Sequence, residues 1–260
     1  MTAQTAGARQ NLLLLHGGGP GVDAQQNWAT VLPALSAAFD CITPDLLGFG
    51  SSLDPGSSDF HGPAAWAAAR AAQVLGLLDE LGLAQIDVVG NSAGGGAAAL
   101  RALAARPGRF RRAVLMGGAG TGGTPAVVPF YGSPTRESMH ATLANLVADP
   151  SAQRPLLDQM VGSRLASALR PGAETAFRRM FEPDPNVVPI DLARIGCPVL
   201  LLHGAQDRVA PVAVSQRLAE VLPGARLVVI EGAGHWIHVD QPAAFCEQVE
   251  IFLTEEIHAG

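Results

Sequence analysis

Gly90-Asn91-Ser92-Ala93-Gly94 places a serine between two glycines, after the apolar run 86–89 and before the helix-prone run 97–100. This is the G-x-S-x-G nucleophile elbow, in which a strand stops at a sharp turn and a helix follows. The turn strains the serine backbone, which only small neighbours permit, and exposes the hydroxyl above the sheet. The stretch therefore predicts a nucleophilic Ser92, with an ordinary helix N-cap as the alternative.

Apolar runs that are typical of buried parallel strands recur along the chain, with helical patterns between them. The predicted strands cover 12–15, 41–43, 86–89, 113–116, 199–202 and 227–230. The predicted helices of this part of the chain cover 64–81, 211–222 and 243–257. Alternation of strands and helices predicts an α/β fold with a doubly wound, mainly parallel sheet.

The segment 117–195 breaks this alternation, because it has no strand pattern and many prolines. A connection of that length without secondary structure is improbable, so helices are expected at 133–147 and 156–169. We therefore predict a helical cap at 117–195, inserted into a core made of 1–116 and 196–260.

Composition narrows the functional class. The chain has 260 residues, is 48% hydrophobic and carries a formal charge of -6, and all 17 basic residues are arginines. A net negative charge without a basic cluster argues against nucleic acid or an anionic membrane as a partner. The absence of lysine excludes Schiff-base chemistry, pyridoxal phosphate attachment and a Walker A site. A small molecule is the expected partner.

The cellular compartment is predicted from the cysteines and the N-terminal residues. Cys41, Cys197 and Cys246 are widely spaced and odd in number, which suits reduced thiols in a core. Residues 1–10 lack the pattern of a signal peptide, and no apolar run is long enough to span a bilayer. We expect a cytoplasmic protein.

A nucleophilic serine needs a base, and the base needs an orienting carboxylate. Asp207 follows the predicted strand 199–202, and His235 follows the predicted strand 227–230. The carboxyl ends of parallel strands share one crevice, so Ser92, Asp207 and His235 are expected to form a catalytic triad. His238 competes with His235 for the role of base, and a loop-capping Asx turn is the alternative for Asp207.

An oxyanion hole requires backbone N–H groups beside the nucleophile. The stretch 16–21, His-Gly-Gly-Gly-Pro-Gly, follows the first predicted strand, and Gly18 and Ala93 are the expected donors. A G-x-G-x-x-G match at Gly118, Gly120 and Gly123 is rejected as a dinucleotide site, because nearby prolines prevent the helix that would receive a pyrophosphate.

Neither a metal nor a cofactor is predicted. His235 and His238 are three residues apart, but no carboxylate or cysteine cluster completes a ligand set around them.

The elbow, the stretches 16–21 and 45–52, Asp207 and the Gly234-His235-Trp236 motif together resemble the meta-cleavage product hydrolases, which are carbon-carbon bond hydrolases of the α/β-hydrolase superfamily. The resemblance covers nearly the whole chain and is faint in the cap. It implies the α/β-hydrolase fold with an inserted helical cap. Only residues 1–10 precede the first strand, so we expect the sheet to lack the first two strands of the family.

The resemblance also implies a function. Family members hydrolyse vinylogous 1,5-diketones of the 2-hydroxy-6-oxohexa-2,4-dienoate type, which arise by ring fission of catechols and carry a carboxylate. Asn27 and Asn91 resemble the residues that hold the dienoate, and Trp236 resembles the residue beside the catalytic histidine. Arg164 resembles the cap arginine that meets the carboxylate, with Arg178 and Arg179 as nearby alternatives.

Two other functions stay open for the triad. A carboxylesterase or lactonase would use the same residues, and a non-enzymatic ligand receptor would keep the pocket without turnover. Serine at position 92 disfavours dehalogenases and epoxide hydrolases, which need a carboxylate there. The sequence is compatible with a homodimer or a higher homo-oligomer.

Overall fold

A parallel sheet of six strands organises the protein. The computed structural model describes residues 9–53, 60–120, 130–183 and 189–255. The strands are β1 (Gln10–Leu15), β2 (Phe39–Ile42), β3 (Ile86–Asn91), β4 (Phe110–Met116), β5 (Val199–Gly204) and β6 (Arg226–Ile230). All neighbouring pairs are parallel, in the order β2-β1-β3-β4-β5-β6. The predicted doubly wound α/β sheet is confirmed.

Helices cover the sheet and build the segment between β4 and β5. They are α1 (Ala24–Trp28), α2 (Leu32–Ala38), α3 (Gly62–Glu80), α4 (Ala97–Ala105), α5 (Arg136–Ala144), α6 (Arg154–Ala168), α7 (Ala173–Met180), α8 (Val212–Val221), α9 (Ile237–Asp240) and α10 (Pro242–Thr254). Among the described residues, none of these helices is long and apolar enough to cross a membrane.

Both faces of the sheet are buried, which explains why the strands read as continuous apolar runs. Leu13 and Leu15 of β1 face one hydrophobic cluster, while Leu12 and Leu14 face the other. Alternate residues of β4 and β5 divide between the same two clusters. The period of two along each strand therefore supplies apolar side chains to both helical layers.

The direction of strand addition reverses between β1 and β3, which are neighbours in the sheet. Loops at the carboxyl ends of such neighbours diverge and leave a crevice, the usual place for a ligand in an open α/β sheet. The glycine-rich stretch 16–21 follows β1 and the elbow follows β3. The topology thus brings these two motifs together.

The described part of the segment between β4 and β5 contains α5, α6 and α7 and no strand. The helix predicted at 133–147 begins only at Arg136, because Thr135 and Ser138 form a capping box. The helix predicted at 156–169 begins earlier, at Arg154, with Pro155 in its first turn. The boundaries of the cap at 117 and 195 stay predictions.

Some predictions fall outside the described residues. These are the statements about residues 1–8, Gly123 of the rejected dinucleotide pattern, and the end of the last helix at Ile257. Within the described part of the sheet, β1 begins at Gln10 and no strand precedes it.

Candidate active site

The elbow gives Ser92 a left-handed backbone conformation. One turn of π-helix, Ser92–Gly96, joins β3 to α4. Ser92 has a φ of 52°, which residues with a side chain rarely adopt. A Cβ on Gly94 would lie 2.6 Å from the carbonyl carbon of Gly17, so glycine is required where the glycine-rich stretch packs against the turn. The predicted strain at the serine is confirmed.

Ser92, His235 and Asp207 form one hydrogen-bonded chain. The Nε2 of His235 lies 2.7 Å from the Oγ of Ser92, and its Nδ1 lies 2.8 Å from the Oδ2 of Asp207. Asp207 follows β5 and His235 follows β6, so each side chain comes from the carboxyl end of a strand. A serine, an imidazole and a buried carboxylate in this order can activate the hydroxyl as a nucleophile.

The carboxylate of Asp207 is anchored independently of His235. Its Oδ1 accepts hydrogen bonds from the backbone N–H groups of Val209 at 2.7 Å and Ala210 at 2.9 Å. Burial alone raises the pKa of Asp207, but hydrogen bonds from His203, His235 and the Ala210 amide hold it well below the usual range. Asp207 therefore forms the Asx turn that the sequence offered as the alternative to a catalytic role, and it also contacts the imidazole of His235.

His238, the competing base, lies elsewhere. Its ring packs against those of Trp28, Trp236 and Phe245, with centroid distances of 5.2, 6.0 and 6.0 Å. Burial lowers the pKa of His238 to about 3, so the ring is neutral. The structure brings His235, and not His238, to Ser92.

The glycine-rich stretch is held against the elbow by His16. The Nε2 of His16 accepts the N–H of Leu46 at 2.9 Å, and its Nδ1 donates to the carbonyl of Gly17 at 2.7 Å. The carbonyl of His16 accepts the N–H of Gly95 at 2.7 Å. Burial lowers the pKa of His16 to about 4, so the ring stays neutral, as these two hydrogen bonds require. Sequence reasoning gave His16 no separate role, although it stands directly after a buried strand.

Gly18 and Ala93 both line the pocket in front of Ser92. A Cβ on Gly18 would lie 3.4 Å from the amide nitrogen of Gly94, so the two loops are in contact at this point. The structure thus places both expected oxyanion donors beside the nucleophile.

Asn27 and Asn91 form a buried amide pair at the same pocket. The Nδ2 of Asn91 donates to the Oδ1 of Asn27 at 3.1 Å, and the N–H of Gly17 donates to the same oxygen at 3.3 Å. Within the described chain, the Nδ2 of Asn27 and the Oδ1 of Asn91 have no hydrogen-bond partner. A donor and an acceptor are therefore available to a ligand.

Arg164 is the cap arginine that reaches the pocket. It is 1% exposed, its Nε donates to the carbonyl of Pro20 at 2.8 Å, and its guanidinium carbon lies 5.5 Å from the ring of Trp236. Burial lowers the pKa of Arg164 to about 10, so it stays charged at neutral pH. Its Nη1 has no partner among the described residues. An unpaired buried guanidinium is costly unless an anion completes it.

The two alternative arginines do not line this pocket. Arg178 is exposed, and its Nε pairs with Glu174 at 2.8 Å within α7. Arg179 is half-buried and also has partners. The choice among the three depended on distances across the cap, which the sequence does not show.

About 690 Å³ of empty space lies in the pocket and its opening to solvent. Beyond the residues already described, it is lined by Gly19, Val22, Thr142, Asn145, Leu146, Phe177, Phe181 and Val209. The sequence marks none of Thr142, Asn145, Phe181 and Val209 by a motif, so their place in the pocket follows from the structure alone. Phe130, Met139 and Leu143 lie in the hydrophobic core and not in the pocket wall. No cluster of three or more metal-ligating side chains occurs in the described ranges.

Comparison with known proteins gives the family. Residues 12–248 match the alpha/beta hydrolase family. The 2-hydroxy-6-oxo-2,4-heptadienoate hydrolase of Pseudomonas putida is 36% identical over 96% of this chain and 91% of its own length. The solved structure of 2-hydroxy-6-oxo-6-phenylhexa-2,4-dienoate hydrolase from Rhodococcus sp. is 32% identical, with a TM-score of 0.84 over 95% of this chain and 91% of that one.

A second solved structure supports the same assignment. It is a variant of the meta-cleavage product hydrolase from Pseudomonas fluorescens, complexed with acetates. It is 30% identical to this chain and has a TM-score of 0.80, over 95% of this chain and 91% of that one. The protein therefore belongs to the alpha/beta hydrolase family and, within it, to the meta-cleavage product hydrolases.

Proposed function

We propose that this hydrolase cleaves a carbon-carbon bond in a vinylogous 1,5-diketone of the 2-hydroxy-6-oxohexa-2,4-dienoate type, a ring-fission product of aromatic degradation. The observation that carries the proposal is the buried Arg164, which lines the pocket that also contains Ser92 and whose Nη1 has no hydrogen-bond partner among the described residues. A carboxylate on the substrate would complete this guanidinium. The names of the relatives, which describe 2-hydroxy-6-oxo-dienoates, support the same substrate class.

The polar groups of the pocket suggest how the substrate is oriented. Arg164 would bind the carboxylate, and the free amide groups of Asn27 and Asn91 would bind the adjacent oxygen of the dienoate. The ketone would then reach Ser92, where Gly18 and Ala93 offer their N–H groups. Several fixed contacts along one substrate supply the orientation that the reaction needs.

Cleavage of the carbon-carbon bond requires an electron sink. Transfer of the proton from the 2-hydroxyl to C5, through His235, converts the dienol into a ketone conjugated with the remaining double bond. Ser92 then attacks the C6 carbonyl while His235 takes its proton, and the oxyanion is stabilised by the amides of Gly18 and Ala93.

Collapse of this tetrahedral intermediate breaks the C5–C6 bond. The electron pair is delocalised into the 2-keto group, which takes up a proton and leaves as a 2-hydroxydienoate. The other half remains as an acyl ester on Ser92 until water, activated by His235, releases a carboxylic acid. Asp207 orients the imidazole and balances its positive charge in both halves of the reaction.

The direct test is turnover of ring-fission dienoates that carry different C6 substituents, followed by loss of their visible absorbance. The wild-type enzyme is expected to bleach at least one of them, and Ser92→Ala is expected to lower kcat by about 10³-fold or more. Absence of bleaching by the folded wild-type protein across the panel would refute the proposal.

A carboxylesterase or lactonase is the second candidate, favoured by the apolar pocket walls at Leu146, Phe177 and Val209. Arg164→Gln separates the two functions. A carbon-carbon hydrolase should lose about 10²- to 10³-fold in kcat/KM on the dienoate, because a buried charged contact is removed. Hydrolysis of simple uncharged esters should change little.

Arg178→Gln is the matched control, since Arg178 is an exposed arginine of the same cap that pairs with Glu174. It should leave both activities unchanged. If Arg164→Gln and Arg178→Gln behave alike on the dienoate, the carboxylate is not bound by Arg164.

A further inference from the structure

A second histidine, His203, contacts the carboxylate of Asp207. Its Nε2 lies 3.3 Å from the Oδ2 of Asp207, and both side chains are 0% exposed. His203 lies near the end of β5, four residues before Asp207. The mechanism described above does not use it, and no motif singles it out.

Its neighbours determine which nitrogen of His203 carries the proton. The Nε2 also lies 3.0 Å from the carbonyl oxygen of Ala210. A carbonyl and a carboxylate only accept, so this nitrogen must carry the hydrogen. The Nδ1 lies 2.7 Å from the Oγ of the buried Ser215 on α8, whose hydroxyl can donate to it. His203 therefore presents the N–H of its Nε2 to Asp207.

His203 and His235 approach the same oxygen of Asp207. The Nδ1 of His235 lies 2.8 Å from Oδ2, the oxygen that His203 also contacts. The other oxygen is held by the amides of Val209 and Ala210. Two backbone hydrogen bonds would keep the carboxylate in place without His203, so its effect is on charge more than on position of the oxygen.

We propose that His203 acts on the triad through Asp207: it shares Oδ2 of Asp207 with His235 and thereby sets how strongly this carboxylate stabilises the imidazolium of His235. An N–H beside a carboxylate offsets part of its negative charge. The imidazolium of His235 depends on that charge for its stabilisation. The inference rests on the proposed catalytic triad, but it does not depend on which bond the enzyme cleaves.

The other groups around His235 do not replace this effect. The elbow presents the neutral hydroxyl of Ser92 to His235. His238 of α9 also interacts electrostatically with His235, but the ring of His238 is neutral. From the cap, the charged Arg164 lines the same pocket and stacks on Trp236. Asp207 is the carboxylate that contacts His235, and it is the one that His203 touches.

The test compares His203→Phe, which keeps a ring without a donor, with His203→Gln, which restores an N–H near the position of Nε2. In the pH profile of kcat/KM, the acidic limb of His203→Phe should move to higher pH by about 0.5 to 1 unit, because Asp207 then acts with its full charge on His235. The limb of His203→Gln should stay at the wild-type position.

An unchanged limb in His203→Phe, or a limb that moves to lower pH, would overturn the proposal. Leu253→Ala on α10 is the control for loss of core packing, because Leu253 is fully buried in the hydrophobic cluster that contains Leu12 and Leu14. It should lower stability without moving the limb. The profile is measured with an uncharged ester as well as a dienoate, so failure of the proposed substrate does not obscure the result.

A measurement on the wild-type protein keeps the proposal testable if the variants do not fold. In a ¹⁵N spectrum of histidine-labelled protein, the ring assigned to His203 through its contacts with Ser215 should show a protonated Nε2 and an unprotonated Nδ1. A protonated Nδ1 with a bare Nε2 would contradict the inference.

Discussion

Buried histidines make the stability of this protein depend on pH. Burial lowers the pKa of His16 to about 4 and that of His238 to about 3. An unfolded histidine has a pKa near 6.5, so the unfolded chain binds more protons than the folded one as the pH falls below about 6.5. Above that pH, these histidines do not lower the free energy of unfolding. Below it, the free energy of unfolding decreases as the pH falls toward the pKa values of the folded state.

His238→Phe should flatten this dependence. The substitution keeps an aromatic ring against Trp28 and Phe245. Relative to the wild type, the variant should gain about 1 to 2 kcal/mol between pH 7 and pH 5, as measured by urea unfolding at both pH values. Equal losses in the two proteins would show that His238 is already protonated in the folded state.

At the scale of residues, the sequence located Ser92, Asp207 and His235 because each follows a predicted strand in a short motif. It could not choose among Arg164, Arg178 and Arg179, since that choice depends on distances across the cap that the sequence does not show. His203 was missed for another reason. Its partner is close in sequence, but the contact depends on how the turn after β5 folds back.

At the scale of elements, the elbow has no room for a side chain at Gly95. A Cβ on Gly95 would lie 2.1 Å from the carbonyl oxygen of Leu15 on β1, a contact that neither backbone can avoid. Gly95→Ala should therefore lower the free energy of unfolding by about 2 to 4 kcal/mol, or force β1 and β3 apart, as seen in thermal unfolding.

Gly76→Ala is the matched control on α3. A Cβ there would meet nothing within 4 Å, and the position is an exposed helix interior. It should raise the free energy of unfolding by about 0.5 to 1 kcal/mol, through helix propensity. A gain in both variants would mean that the turn relaxes around Gly95 without cost.

Element boundaries show where sequence patterns lose information. The apolar runs located the six strands of the described chain, but the observed β4 begins three residues before the predicted 113–116. Phe110 and the arginines after it extend the strand through backbone pairing that an apolar pattern does not report. Helix α5 began late because a capping box fixed its first turn.

At the scale of the whole molecule, Arg208 joins the segment after α5 to the loop that carries Asp207. Its guanidinium donates to the carbonyls of Ala144 at 2.9 Å, Val147 at 2.7 Å and Ala148 at 3.3 Å. The contact with Ala144 caps the last carbonyl of α5, where a positive charge is favourable. The connection holds the cap over the sheet.

Arg208→Ala should loosen the cap without removing a catalytic group. We expect a loss of about 1 to 2 kcal/mol in stability and a rise of KM larger than the fall of kcat, measured by urea unfolding and steady-state kinetics. Arg226→Ala, which breaks an exposed pair with Glu255, should change stability by less than about 0.5 kcal/mol. Identical effects of the two variants would leave Arg208 without a role in the cap.

The segment 146–148 also supports the loop of the proposed base. The N–H of Trp236 donates to the carbonyl of Leu146 at 2.8 Å, and the Oδ2 of Asp240 accepts from the amides of both Ala148 and Gly234 at 2.8 Å. Leu146 is at the same time a wall of the pocket.

This double use constrains how the enzyme could evolve toward new substrates. Remodelling the pocket at 146–148 would disturb the support of the base, so changes of substrate range through this wall would carry a cost in turnover. Phe177 and Phe181 line the pocket from the end of α7, without such a connection to the base loop in the described contacts. Natural or laboratory selection for bulkier substrates should therefore accumulate substitutions at these two phenylalanines first.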